Sequence, residues 1–170
     1  CRDTNQIINH LLSGQAALLF EEADTVIMLE IKGFDKRSIS ETTTENVMNG
    51  AKDAFTETLS TNTAMIRRRL KSKHLVIEQS VIGNETHTNI AMVYLEGKAE
   101  ESLVTEIKHK LEGVDVLGIS APGAIEELLL ENTSVFPQIM NTERTDRFCS
   151  NILEGRVGII IDGFPVGYII

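Results

Sequence analysis

Apolar residues fall along this chain in two periods, one matching helices and one matching strands, and the two alternate. Phe55, Leu59, Ile66 and Leu70 recur at helical spacing and predict a helix from Phe55 to Leu70. Leu75 to Ile82 and Asn89 to Leu95 read as strands. The second holds Ile90-Ala91-Met92-Val93-Tyr94-Leu95, almost wholly apolar, as expected of a strand covered on both faces and lying at the centre of a sheet. A helix from Ala99 to Leu111 gathers Leu103, Val104, Ile107 and Leu111 on one side, and Val114 to Ile119 then returns as a strand. Ser120 and Pro122 open a short helix carrying Ile125, Leu128 and Leu129, and Phe136-Pro137 interrupts the chain after it.

The two ends of the chain repeat one another. Residues 4–29 align on residues 145–170 without a gap, with Thr4 on Thr145, Leu12 on Leu153 and Gly14 on Gly155. Each copy reads as an amphipathic helix, a strand, a turn and a second strand. A Thr at the start is placed to cap the free helical N–H groups, and a Gly at the end to take the left-handed conformation that closes a helix. Ala16 to Phe20 corresponds to Val157 to Ile161, and Val26 to Ile31 to Gly167–Ile170. Asp162-Gly163 is a strong turn signal, whereas the matching Glu21-Glu22 is a weak one.

This order predicts an α/β fold: two small α/β lobes with mixed sheets flanked by helices, the first lobe truncated. Residues 33–50 carry Ser38, Ser40, Thr42, Thr43, Thr44 and Asn49 with little periodicity and read as the connection. Residues 1–48 are then the C-terminal part of a first lobe plus linker, and 49–170 the second lobe. Counterparts of Phe55 to Phe136 are lacking from the first, so the natural protein is expected to extend upstream of Cys1. A start at Cys1 and a stop at Gly167-Tyr168-Ile169-Ile170, inside a strand pattern, read as trimmed ends.

Composition narrows the function. At 42% hydrophobic and 24% charged, the 170 residues suffice to bury a core. A net charge of -9 and the absence of Trp argue against nucleic-acid binding, which needs clustered cations and stacking platforms. Cys1 and Cys149 lie nearly the whole chain apart and fit neither a disulfide framework nor a metal knuckle, so a reducing compartment is expected. No apolar run reaches the roughly 20 residues of a membrane span.

Candidate chemistry is thin. His10, His74, His87 and His109 have no ligand partners at metal-binding spacing, and no metal is expected. Gly113, Gly118 and Gly123 do not match a dinucleotide or phosphate-loop fingerprint, and no cofactor is expected. Glu100-Glu101 and Glu126-Glu127 sit near helix starts, where the dipole favours negative charge. No nucleophile has a visible base, and the chain reads as a non-enzyme. The most unusual surface is the Thr-rich helix ending in Arg67-Arg68-Arg69. Asn62 and one or more of these arginines are candidates for contact with a neighbouring lobe, subunit or anionic ligand; the alternative is ion pairing with the chain's own carboxylates.

The run from Asn49 to Leu70, containing Thr56-Glu57-Thr58-Leu59-Ser60-Thr61-Asn62-Thr63 and Ile66-Arg67-Arg68-Arg69, resembles the signature of GerA-family spore germination receptor A subunits. So does Leu153-Glu154-Gly155-Arg156-Val157-Gly158-Ile159-Ile160-Ile161-Asp162-Gly163-Phe164-Pro165. Ala91 to Gly97, Phe136-Pro137-Gln138 and Thr142-Glu143-Arg144 fit the same pattern. The resemblance implies a receptor of A, B and C subunits in the spore inner membrane that answers nutrients by starting germination, with a soluble N-terminal region facing the spore core and membrane helices after it. It assigns no binding or catalytic role to any residue here. Two functions remain open: a regulatory module packing on the B and C subunits, or a domain holding a nutrient small molecule between its lobes.

Overall fold

The computed structural model describes residues 3–21, 25–29, 53–112, 122–129 and 137–170. The amino-terminal unit is helix α1 (Thr4–Leu12) followed by strands β1 (Ala16–Leu18) and β2 (Ile27–Leu29), paired antiparallel. The remainder forms one larger body. Its elements are α2 (Leu59–Arg69), β3 (Leu75–Ile82), β4 (Thr88–Leu95), α3 (Glu101–Glu112), α4 (Pro122–Leu129), β5 (Met140–Thr142), α5 (Thr145–Leu153), β6 (Gly158–Ile161) and β7 (Gly167–Ile169).

Five strands make a sheet in the order β3-β4-β6-β7-β5. Alternation along the strands sends successive side chains to opposite faces. Ala91, Val93, Ile160 and Ile169 point to one core with Leu59, Met65 and Ile66 of α2 and Phe148, Cys149 and Ile152 of α5. Ile90, Met92, Ile159, Ile161 and Tyr168 point to the other with Val104, Ile107 and Leu111 of α3 and Ile125 and Leu129 of α4. The result is a three-layer α/β arrangement with helices on both faces of the sheet. Near-continuous apolar runs in β4 and β6 follow from burial on both sides. β4 lies between β3 and β6, so β6 takes the middle of the order.

Every strand pair among the described residues is antiparallel, so the mixed character expected of the sheets is not seen there. The strand read at Val114 to Ile119 lies outside the described residues, as does the whole of the inter-lobe connection at residues 33–50. β5 was not expected; its three residues, Met140-Asn141-Thr142, are too few and too polar to show a period. Helix α2 starts later than its apolar spacing suggests, because Phe55 is held as extended chain. Its N–H donates to Glu143 O at 2.8 Å, and Ala54 bridges Arg144.

The repeat is visible in the geometry. Ala17 pairs with Met28 and Leu18 with Ile27; one repeat later, Gly158 pairs with Ile169 and Ile159 with Tyr168. Gly14 and Gly155 both end their helices at positive φ, 85° and 100°. The capping threonines are corrected. Asp3 caps α1, accepting from Asn5 N at 3.0 Å, and Thr145 is the first residue of α5, its hydroxyl donating to Asp53 O at 3.2 Å. Glu126 and Glu127 lie beyond the first turn of α4, where Glu126 accepts from Asn141 Nδ2 at 2.7 Å.

Candidate functional site

Helix α2 has a mediocre intrinsic helical tendency, since its Thr residues lose rotamer freedom, and two tertiary contacts fix its start. Thr58 makes no side-chain cap. Asp162, from the turn between β6 and β7, accepts from Leu59 N at 2.8 Å instead, and Gly163 N donates to Glu57 O at 2.7 Å. Gly163 sits at φ +87°, as the turn signal requires.

Asn62 is corrected from the interaction surface to the interior. It is fully buried; its Oδ1 accepts from Thr56 N at 2.8 Å and from Thr56 Oγ1 at 3.1 Å, and its Nδ2 donates to Thr56 O at 2.6 Å. These bonds hold the segment entering α2, which is why the helix does not begin at Phe55. Periodicity carries no signal for such a side-chain latch six residues long.

Arg67, Arg68 and Arg69 are exposed at the C-terminus of α2, where positive charge complements the helix dipole. They diverge, as consecutive helical residues must. Arg69 pairs with Asp53 at 3.1 Å, an exposed contact of little energetic weight. Arg67 and Arg68 instead border a groove of about 210 Å³ between the end of α1 and α2. Leu11, Leu12, Ala64, Leu70 and Leu75 make its lining largely apolar. It therefore offers an apolar wall beside two guanidinium groups, suited to a small molecule carrying both an apolar and an anionic part.

The other titratable groups serve the fold. Arg144 grips Asp146 through two bonds, Nε to Oδ1 at 3.0 Å and Nη2 to Oδ2 at 2.6 Å. These bonds outweigh partial burial and hold the Asp146 carboxyl below its usual range, with the Arg147 N–H and the Arg69 charge assisting. Burial pushes the Cys149 thiol up to about 12, so it stays protonated and is a poor nucleophile. On the opposite face, Tyr94 OH and Lys108 Nζ both donate to Glu78 Oε1, at 2.8 and 2.9 Å, clasping α3 to β3 and β4. Burial alone would raise Glu78, but these two donors bring it below its ordinary value. Among the described residues no three His, Cys, Asp or Glu side chains gather as a metal site, and no helix is long and apolar enough to cross a membrane.

Comparison with known proteins places this architecture. The family model described as Bacillus/Clostridium GerA spore germination protein matches residues 1–170. The chain belongs to this GerA family. Spore germination protein KA of Bacillus subtilis (strain 168) is 36% identical over 162 residues, covering 95% of the chain and 30% of that protein. Spore germination protein A1 of the same organism is 38% identical over 159 residues, covering 93% and 33%. This GerA chain thus spans about a third of the length of such relatives. Its fold matches the crystal structure of the N-terminal domain of the A subunit of the Bacillus megaterium spore germinant receptor GerK3. The TM-score is 0.68 at 33% identity, over 97% of this chain and 58% of that one.

Proposed function

We propose that this chain is a regulatory interaction module of a nutrient germinant receptor A subunit, which helps to trigger spore germination. In this reading it packs on the B and C subunits on the core-facing side of the spore inner membrane and passes nutrient detection to the membrane part. The observation that carries it is the match, over 97% of the chain, to an A-subunit N-terminal domain. Arg67, Arg68 and Arg69 supply the contact surface: all three are exposed at the end of α2, and Arg69 also pairs with Asp53. Replacing each arginine singly by Ala leaves the melting temperature unchanged and slows nutrient-induced germination of spores. Normal germination in all three variants would remove this surface from the mechanism.

The groove between α1 and α2 favours a second reading, in which the domain itself holds the nutrient. Isothermal titration with amino acids, sugars and nucleosides separates the two. Saturable heat that disappears in Arg67→Ala and Arg68→Ala makes the groove a nutrient site. No heat with any of them, from protein shown to be folded, leaves the interaction module.

A further inference from the structure

Charge is laid out unevenly along this chain. Its net charge is -9, with 25 Asp and Glu residues, yet none of them lies between Glu57 and Glu78. Five of the 16 Lys and Arg residues fall inside that gap, at Arg67, Arg68, Arg69, Lys71 and Lys73, and all five are exposed. The backbone that carries them is tied down. Leu70 N donates to Ile66 O at 2.7 Å to finish α2, and in the turn into β3 His74 N donates to Ser72 Oγ and Leu75 N to Ser72 O, each at 3.2 Å. Arg69 is drawn aside by Asp53 and feels the charge of Asp146. Arg67 and Arg68 line the groove against α1, and Lys71 and Lys73 adjoin Leu70 and Ser72 of its wall. Among the described residues, no Asp or Glu lines that groove.

We propose that this patch docks an acidic segment of a partner protein, with one or two apolar side chains inserted in the groove and the carboxylates beside them taken by Arg67, Arg68, Lys71 and Lys73. The inference rests on the interaction-module reading above and names the chemistry of the partner.

Size and the range of charge select a peptide. The groove holds about 210 Å³, below the roughly 300–1,000 Å³ of sites that enclose a drug-sized ligand, and Leu11, 46% exposed, leaves its apolar wall open to a side chain entering from outside. Guanidinium groups match carboxylates through two parallel bonds, which gives the contact geometry as well as charge. At physiological ionic strength the fields of exposed charges fade over about 8 Å. A compact segment confined to the patch is therefore attracted by the cations it touches and is little affected by acids elsewhere on the chain. A bilayer surface is an extended anionic plane and meets those acids as well.

Selection of random short peptides displayed on phage against the immobilised 170-residue chain tests the proposal without presuming a partner. The enriched sequences carry Asp or Glu on both sides of a Leu, Ile or Phe, and a synthetic peptide of their consensus binds more weakly as salt is raised. Arg67→Ala and Arg68→Ala each weaken that peptide about tenfold, because each removes a charge-assisted bond to a carboxylate. Leu11→Ser weakens it by about fivefold to tenfold through lost apolar contact and keeps the salt dependence. All three positions are exposed, so the melting temperature is unchanged. Enriched sequences without acids overturn the proposal, as does a consensus peptide that binds all three variants as tightly as the original chain, or a selection that enriches nothing. Vesicles of phosphatidylglycerol that bind through the same arginines when no peptide is enriched make the patch a membrane surface and overturn it too. The germination test of the arginines is separate. Slowed germination without acidic peptides keeps the module and discards this partner chemistry, whereas normal germination with acidic peptides keeps the docking patch and removes the arginines from triggering.

Discussion

The two faces of the five-stranded sheet are built differently. The face under α2 and α5 is closed by aromatic packing. The Phe55 and Phe148 rings meet edge to face, with centroids 5.2 Å apart, directly over glycines in β6 and β7. A Cβ at Gly158 would come within 2.2 Å of the Phe148 ring, and one at Gly167 within 2.6 Å. The strands are therefore bare there to admit the ring. The face under α3 and α4 is held partly by polar groups, the Glu78, Tyr94 and Lys108 clasp at its margin and Tyr168 inside. Tyr168 OH is buried and has no hydrogen-bond partner among the described residues. One face thus gains specificity from shape, and the other accepts a polar cost.

The contrast breaks most sharply at Phe148. Phe148→Ala empties the space that Gly158 and Gly167 leave open and lowers unfolding free energy by about 3–5 kcal/mol, measured by chemical denaturation. On the opposite face, Tyr168→Phe removes the unpaired hydroxyl while keeping the ring, and raises stability by about 1 kcal/mol in the same measurement. A fall on Tyr168→Phe would show that the hydroxyl has a partner, and the two faces would then be alike. The smallest effect is in pH. Asp146 has a lowered pKa in the fold, so its contribution is complete above the unfolded carboxylate value and is lost as pH falls through the folded one. Thermal melts of wild type and Asp146→Asn therefore differ at neutral pH and converge on acidification.

How much of this was legible in the sequence depended on distance along the chain. β3 shows its full extent, β4 all but its first residue, and α4 its apolar face, because each is a local period of apolar residues. The repeat, with its closing glycines and the turn at Gly163, was also local. What stayed hidden was long-range or too short. β5 owes its existence to β7, and the start of α2 is set by Asp162, 103 residues away from Leu59. Arg67, Arg68 and Arg69 read as surface from sequence and are exposed, whereas the sequence gives no sign that Asn62 is a latch. Nothing in its neighbourhood says whether a polar helical residue faces solvent or folds back on the chain before it. The amino-terminal unit is the converse case: its pattern foretells burial that the described residues do not provide.

The place of β6 in the middle of the sheet also bears on how the body comes into being during synthesis. β4 can pair with β3 as soon as both have left the ribosome, on the scale of about 1–10 μs for a hairpin. Its other edge needs Gly158 to Ile161, more than sixty residues later than Leu95. At about 5–20 residues per second, that wait is several seconds. Throughout it, Ile90 to Val93 stand as an apolar strand with one edge open. The nascent chain is thus at its most aggregation-prone after its best-patterned segment has been made, and a chaperone that binds extended apolar strands would find its target there.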